Sequence, residues 1–211
     1  DVVAVYDLGG GTFDAAVLRR VGDGFETLGE PQGIERLGGI DFDEAVMSHV
    51  RSIVGDALAG LDPADPASRA AVTRLREECA AAKEALSEDS ETSVPVMLPG
   101  LQTQVRITRA ELEDAIRPAL RETVESLRRA IVAAGVTAAE VKAIVLAGGS
   151  SRIPLVREMV GELGRPVVLD AHPKHTVALG AARLAAAGPA APAAVLAPPP
   201  APIAEPAPPA A

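Results

Sequence analysis

The chain has 211 residues, of which 48% are hydrophobic, and it carries one cysteine and a formal net charge of −9. That length and apolar content are enough to bury a core in one or two compact units. The acidic balance argues against nucleic acid or an anionic membrane as a partner, because a positive field recruits both. No apolar run reaches the roughly 18 residues that a membrane helix needs. The lone Cys79 cannot form an internal disulfide, which fits a reducing compartment.

The first third of the chain predicts a small sheet followed by a helix. Apolar runs at 2–6 and 13–18 flank a triple glycine, which indicates a hairpin, and 25–28 is a third strand. A helix is expected over 41–57. Its predicted apolar side contains Phe42, Val46, His49 or Val50, and Ile53.

The middle of the chain predicts a helix, a hairpin and a long helix. Apolar residues three or four apart indicate a helix over 67–86, and Pro99-Gly100 separates two strands at 92–98 and 102–107. Thr108 and Glu111 form a capping box for a helix that runs to about residue 134, with a kink expected before Pro118.

The last third predicts alternating strands and helices and then a tail. A fully apolar strand over 141–146 enters Gly148-Gly149 and is followed by a helix over 151–163, a short strand at 167–169 and a last helix over 173–187. Residues 188–211 are almost entirely alanine and proline, a composition that cannot form a packed core. We therefore expect a disordered linker or tail there.

The first candidate motif is Asp7-Leu8-Gly9-Gly10-Gly11-Thr12-Phe13-Asp14. Glycines between two strands let the backbone approach a ligand and direct amides at phosphate oxygens, and Thr12 adds a hydroxyl. Two carboxylates beside a phosphate would repel it unless a cation lies between them. Asp7 and Asp14 therefore imply Mg²⁺, with room for a monovalent ion such as K⁺.

The second candidate motif is Ala147-Gly148-Gly149-Ser150-Ser151-Arg152-Ile153-Pro154, at the carboxyl end of the apolar strand 141–146. Open α/β sheets bind ligands at this end of their strands. The glycines permit close approach, and the planar guanidinium of Arg152 can stack on an aromatic base.

These two motifs, with segments 37–43 and 74–87 between them, resemble the ATPase domain of the 70-kilodalton heat-shock chaperone (DnaK) family over residues 1–187. The resemblance implies an α/β fold: an actin-like (ribonuclease H-like) ATPase lobe with an inserted α+β subdomain. The inner subdomain would comprise 1–37 and 118–187 and the outer subdomain 38–117, followed by the disordered Ala/Pro-rich tail at 188–211.

The resemblance also assigns roles to single residues. Asp7 and Asp14 would order the metal shell and act with Thr12 in catalysis. The residues expected to hold the nucleotide are Gly9, Gly10, Gly11 and Thr12 at the phosphates, Gly38 and Gly39 at the cleft, Lys83 at the ribose, Ser87 at the adenine, and Gly148, Gly149, Ser150 and Arg152 at the adenosine.

Four positions depart from the family pattern. Ala80 replaces a glutamate that bonds the ribose, and Glu84 stands where a side chain often covers the adenine. Ile40 replaces an acidic residue of the cleft turn, and Lys174 replaces an aspartate near the cation site. We therefore expect modest nucleotide affinity.

The expected function is ATP or ADP binding with Mg²⁺ by one lobe of a chaperone-like ATPase. The chain begins at Asp1 in an apolar strand, which indicates a piece of a longer protein, and hydrolysis is expected only together with the first lobe. Expected partners are the nucleotide, the first lobe and a co-chaperone or nucleotide-exchange protein, and the expected location is cytoplasmic. The alternative is a nucleotide-responsive interaction or scaffold module without chaperone activity, which the Pro-rich tail favours modestly. Another actin-like family, such as a filament protein or a sugar kinase, fits the segments 37–43 and 74–87 less well.

Overall fold

The computed structural model describes residues 1–22, 24–169 and 175–186. Its strands are β1 (Val2–Leu8), β2 (Phe13–Val21), β3 (Gly24–Ile34), β4 (Glu91–Leu98), β5 (Leu101–Thr108), β6 (Val141–Ala147) and β7 (Val167–Leu169). Its α-helices are α1 (Gly39–Ala59), α2 (Pro66–Ala85), α3 (Arg109–Ala133), α4 (Pro154–Gly161) and α5 (Thr176–Ala186), and 3₁₀ turns lie at Ala138–Glu140 and Gly149–Arg152.

Contacts divide the chain into a unit of residues 1–176 and a second unit that starts at Val177. The second unit contributes nearly all of α5, an alanine-rich helix of 11 residues. No helix in the described part of the chain is both long and apolar enough to cross a membrane. The predicted tail, the ends of the predicted last helix and Lys174 lie outside the described residues.

A five-stranded sheet in the order β3-β2-β1-β6-β7 forms the centre of the first unit. The hairpin strands β1 and β2 pair antiparallel, as do β2 and β3, whereas β1 pairs parallel to β6 and β6 parallel to β7. Because β1 and β6 run in the same direction, the turns that follow them meet at one edge of the sheet. This edge holds both sequence motifs.

Two aromatic side chains anchor the β1–β2 hairpin immediately below its glycine turn. Tyr6 and Phe13 are fully buried, with ring centroids 4.7 Å apart in an edge-to-face arrangement. The Tyr6 hydroxyl and the Thr123 hydroxyl of α3 are hydrogen-bonded at 2.5 Å. Burial of two such rings stabilises the fold by roughly 1.5–3 kcal/mol each, so the end of the hairpin is firmly held on α3.

The β4–β5 hairpin and helices α1 and α2 pack beside this sheet. Alternate residues of β4 are buried, and α2 places Leu75, Cys79 and Ala82 in the core at the predicted spacing. Burial raises the pKa of the Cys79 thiol to about 11. This residue is therefore a packed neutral thiol, as small apolar side chains in cores are.

Helix α3 joins the two sheets. Its first turns contact α1 and β5, and the helix also contacts β2, β3 and α4. The predicted capping box is confirmed, because the Thr108 amide donates to Glu111 Oε2 at 2.8 Å and the Glu111 amide donates to Thr108 Oγ1 at 3.3 Å. The proposed boundary between inner and outer subdomains falls inside this helix and stays a prediction.

The mixed α/β fold is confirmed, with three local differences. Strand β3 is longer than predicted, since it stays paired with β2 as far as Phe13 opposite Ile34. The predicted helix over 151–163 is a 3₁₀ turn followed by α4, which begins at Pro154, a residue suited to the first helical position. The expected kink before Pro118 does not interrupt α3, which is one continuous helix.

The predicted apolar side of α1 is wrong at its end. Ile53 is 58% exposed, whereas Val54 is 8% exposed and belongs to the core. Val54 continues the series of buried residues spaced by four that starts at Phe42, so the predicted step of three from Val50 to Ile53 chose the wrong neighbour. The non-helical dihedral angles of Val54, φ −116° and ψ 23°, affect the turn that follows it.

Two glycines with left-handed backbone provide a matched test of the packing of α3 on β3. Gly29 and Gly100 have φ of +66° and +81°, but a Cβ at Gly29 would lie 2.3 Å from the Ala133 carbonyl oxygen, and one at Gly100 would meet nothing within 4 Å. We expect Gly100→Ala to lower the free energy of unfolding by about 1–2 kcal/mol through backbone strain alone. Gly29→Ala should cost about 1–3 kcal/mol more, because packed backbone must move. Urea denaturation of both variants measures this difference, and equal losses would contradict the described packing.

Candidate functional site

Three turns meet at the carboxyl edge of β1 and β6. We name them the glycine turn (residues 9–12), the cleft turn (residues 38–40) and the β6 turn (residues 148–152). The amides of Gly39 and Ile40 donate to the carbonyls of Gly9 at 3.0 Å and Gly10 at 2.8 Å, and the Ser150 hydroxyl donates to the Gly9 carbonyl at 2.9 Å. The three segments are therefore held together by direct hydrogen bonds.

The turns approach so closely that two positions require glycine. A Cβ at Gly38 would lie 2.5 Å from the Gly11 nitrogen and 2.7 Å from the Gly10 carbonyl carbon. Gly148 has φ +80°, and a Cβ there would lie 2.3 Å from the Leu8 oxygen. The neighbour that each of these two glycines approaches is the chain itself, and the predicted approach of Gly148 to a ligand stays a prediction.

The tip of the glycine turn is open. Gly10 and Gly11 are exposed, and a Cβ at either position would meet nothing within 4 Å. Within the described residues, the amides of Gly10 and Gly11 donate to no protein acceptor. Successive uncommitted amides on a turn form a concave site for an anion, and phosphate is the anion that proteins most often bind in this way.

Asp7 and Asp14 flank this turn as cross-strand partners in the β1–β2 register. Asp7 is half-buried and Asp14 exposed. Burial raises the pKa of the Asp7 carboxyl, and the negative charge of Asp14 raises it further. A hard divalent cation would relieve both effects, since it binds carboxylate oxygens and favours their charged form. The two residues therefore fit Mg²⁺ chemically.

Metal ligands beyond this pair would have to come from elsewhere. In residues 1–22, 24–169 and 175–186, no group of three or more His, Cys, Asp or Glu side chains is arranged to hold a metal ion. Mg²⁺ typically keeps several waters and binds one or two carboxylates together with substrate phosphates. The arrangement of Asp7 and Asp14 beside the open amides is consistent with that ligand set.

Lys83, on α2, lies beside the cleft turn. Its ammonium donates to the Gly39 carbonyl at 3.0 Å and lies 2.7 Å from Asp43 Oδ1 of α1. The side chain is only 12% exposed. The predicted ribose contact of Lys83 remains a prediction, and two of the directions around its ammonium are occupied by protein.

A small cavity separates the end of α2 from the β6 turn. Its lining residues are Glu84, Ser87, Glu88, Gly149 and Arg152. The structure thus brings together three residues that the sequence assigned to adenosine. Ser150 differs, because it is buried and its hydroxyl bonds Gly9. In the structure, Ser150 joins the β6 turn to the glycine turn.

Arg152 is paired across this cavity. Its Nη2 lies 3.2 Å from Oε1 of Glu88, and the two side chains are 48% and 76% exposed. An exposed pair of this kind contributes only about 0–1 kcal/mol, so it orients the guanidinium without locking it. The faces of the guanidinium plane can stack while its edge bonds a carboxylate.

Sequence reasoning missed three carboxylates at the site. Asp43 pairs with Lys83, Glu88 pairs with Arg152, and Asp41 accepts from the Gly38 amide at 2.8 Å. Asp41 could have been found from its place three residues after Gly38, the spacing of a capping box. The signal for the other two was weaker: Asp43 lies in the motif at 37–43, and Glu88 follows Ser87.

A mixed sheet with these three turns at its carboxyl edge is one lobe of an actin-like ATPase. Comparison with protein families agrees, since the model described as "Hsp70 protein" matches residues 1–191. The chain belongs to the Hsp70 family of ATP-binding chaperones.

Several curated proteins named as chaperones are similar to this chain. A "Chaperone protein HscA homolog" from Bordetella petrii is 40% identical over 181 residues, and proteins named "Chaperone protein HscA" from Citrobacter koseri and Yersinia pseudotuberculosis are 42% and 43% identical over 182 residues. These alignments cover 85–86% of this chain and 26–28% of the relatives. The chain thus spans little more than a quarter of the length of these relatives.

The environment of Asp7 leads to a prediction about pH. Because its folded-state pKa is raised, the folded protein binds the proton more tightly than the unfolded chain does, and stability falls as the pH rises through that pKa. Without Mg²⁺ or nucleotide, we expect Asp7→Asn to raise the melting temperature at pH 7, and we expect the gain to disappear at a pH below the ordinary carboxyl pKa. Thermal unfolding at both pH values measures this.

Asp65 provides a control of opposite sign. A hydrogen bond from the Ser68 hydroxyl lowers the pKa of this helix-capping carboxyl, with help from the amides of Ser68 and Ala67. Its stabilising effect is present above the unfolded pKa and lost as the pH falls, so Asp65→Asn should lower the melting temperature at pH 7. A fall for Asp7→Asn at pH 7 would contradict the repulsion inferred at the site.

Proposed function

We propose that this chain is the second lobe of a chaperone ATPase domain and binds Mg-ATP and Mg-ADP at the edge where the three turns meet. The observation that carries this proposal is the open glycine turn, whose Gly10 and Gly11 amides donate to no protein acceptor within the described residues. Such amides are matched to phosphate oxygens. Membership in the Hsp70 family independently supports ATP as the phosphate-bearing ligand.

The phosphates would bind to Gly9, Gly10, Gly11 and Thr12, with Gly38 and Gly39 as the wall behind them. Asp7 and Asp14 would hold Mg²⁺, whose role is to neutralise the phosphate charge and orient the leaving group. A K⁺ ion beside it would share the remaining carboxylate oxygens. The raised pKa of Asp7 supports this arrangement, because burial and the charge of Asp14 both disfavour the charged carboxylate and a bound cation would favour it.

The adenosine would bind at the cavity between α2 and the β6 turn. Arg152 would stack on the adenine, Ser87 would bond its edge, and Lys83 would bond the ribose. Gly148 gives the backbone of the β6 turn its close approach, Gly149 lines the cavity, and Ser150 keeps that turn on Gly9. Ala80 supplies no polar group to the sugar, which supports modest affinity.

Hydrolysis would belong to the protein in which this lobe faces its partner lobe. Phosphoryl transfer depends on positioning and charge from both sides of the γ-phosphate, and this lobe supplies Asp7, Asp14 and Thr12 on one side. A co-chaperone or a nucleotide-exchange protein is the partner class that such a domain would use, and a cytoplasmic location belongs to the same proposal.

The parent protein is defined here as the longer chain that would contain both lobes. Calorimetric titration of the parent protein with Mg-ATP and Mg-ADP tests nucleotide binding. We expect Arg152→Ala to weaken both ligands by roughly 3- to 30-fold, the range of a lost cation–π stack. Asp7→Ala should weaken the binding of Mg-ATP more than the binding of metal-free ATP in EDTA, because Asp7 would contact the nucleotide only through the metal ion. Arg128→Ala on α3, which removes only an exposed i,i+3 pair with Glu125, is the matched control and should bind normally.

Absence of any binding to the parent would refute the nucleotide proposal. Binding that Arg152→Ala leaves unchanged would place the adenosine elsewhere. Turnover of bound ATP by the parent then separates an ATPase from a nucleotide-responsive interaction module, which would bind both nucleotides and release no phosphate.

A further inference from the structure

Lys83 and Asp43 form the most enclosed ion pair of the described residues. Their side chains are 12% and 27% exposed, whereas each of the other described ion pairs has at least one partner exposed by 47% or more. The pair joins α2 to the amino-terminal part of α1, next to the cleft turn. Its position is therefore defined by two helices.

The ammonium of Lys83 has three N–H donors, and the protein accounts for two directions. One donates to the Gly39 carbonyl at 3.0 Å, and Asp43 Oδ1 lies 2.7 Å from the same nitrogen. Asp43 Oδ1 is fully buried and receives no aligned hydrogen bond, so its short contact with Lys83 is primarily an attraction of charges. At least one N–H of the ammonium therefore donates to no acceptor among the described residues.

The ammonium of Lys83 lies against the cleft turn. A Cβ at Gly39 would lie 3.1 Å from Nζ of Lys83 and 2.8 Å from Oγ of Ser150, so the lysine is packed against the turn beside the Ser150 hydroxyl. If the carboxylate of Asp43 were neutral, the flexible stem of Lys83 would be free to swing its charge toward solvent.

We propose that Asp43 is a positioning residue for nucleotide binding. It holds Lys83 on the Gly39 carbonyl, so that the remaining N–H of the ammonium is available to a hydroxyl of the ribose. This inference rests on the proposed function. It makes Asp43 responsible for recognition of the sugar although Asp43 does not touch the nucleotide.

The helices do not need the ion pair in order to pack. Met47 of α1 and Cys79 of α2 are both buried, with their sulfur atoms 3.9 Å apart, and Arg76 of α2 reaches Glu44 of α1 at 3.3 Å. Removal of the Asp43 charge with the isosteric Asn therefore leaves an apolar contact and a second ion pair between the same helices.

The test compares Mg-ATP with Mg-2′-deoxy-ATP and Mg-3′-deoxy-ATP on the parent protein by calorimetric titration. The wild type should prefer ATP over at least one deoxy analogue by about 10-fold, as expected for a hydrogen bond to a charged donor. In Asp43→Asn this preference should fall to about twofold or less, and Lys83→Met should lose it to the same extent. The double variant should show the same preference for ATP as Lys83→Met alone, because the two changes remove the same ribose contact.

Glu44→Gln is the matched control. Glu44 follows Asp43 on α1 and pairs with Arg51 and Arg76 at the surface, so its neutralisation removes a charge from the same turn and should keep the wild-type preference for ATP. Thermal unfolding establishes that each variant is folded. If Asp43→Asn is not, Asp43→Glu, which keeps the charge but displaces it, should show a partial loss of discrimination.

The outcomes are distinguishable. If the wild type binds no nucleotide, the proposed function fails and this inference fails with it. If the wild type binds ATP but does not discriminate against either deoxy analogue, or if Asp43→Asn keeps the preference, the positioning role alone is overturned. A uniform loss of affinity for all three nucleotides in Asp43→Asn would assign Asp43 a purely structural role and would likewise overturn it.

Discussion

The carbonyl of Gly9 is the point on which the site depends. It accepts the amide of Gly39 and the hydroxyl of Ser150, so one oxygen uses both of its lone pairs to join segments from three parts of the chain. Glycine is required at Gly38 and Gly148 because these hydrogen bonds bring backbones into contact. The same bonds leave the tip of the glycine turn facing outward with its amides uncommitted.

Electrostatics at this edge separates into two regions of opposite character. The glycine turn offers uncommitted amides to an anion, while Asp7 and Asp14 on either side of it favour a cation. A ligand that carries both, such as a metal complex of a polyphosphate, satisfies the two regions together. At the other end of the site, Glu88 and Asp43 each hold a basic side chain in place. The carboxylates around the site thus act mostly by orienting cations.

The features that could be predicted from the sequence are those that depend on residues close together in the chain. The Thr108 capping box, the turn at Pro99-Gly100 and the apolar strand at 2–6 each follow from residues a few positions apart, and all three are present. The resemblance predicted that the Gly-rich motifs at 7–14 and 147–154 serve one nucleotide, whereas the parallel pairing of β1 with β6 that brings them to one sheet edge is seen only in the structure. The break at Val54, by contrast, depends on local dihedral angles that no apolar period records, and the partners of Lys83 and Arg152 lie 40 and 64 residues away along the chain.

The bond between Ser150 and Gly9 spans 141 residues of sequence, and β1 pairs directly with β6 across a similar separation. During synthesis, β1 and β2 emerge long before β6, and the hairpin must wait for the intervening helices before its third partner segment arrives. Contacts of this range fold slowly, because the entropy of closing a long loop is lost before any native pairing compensates for it. Nucleotide affinity should therefore be acquired late in folding. In the finished sheet, β1 lies between β2 and β6. Before β6 has been synthesised, one edge of β1 is unpaired, and an unpaired strand edge can associate with other chains.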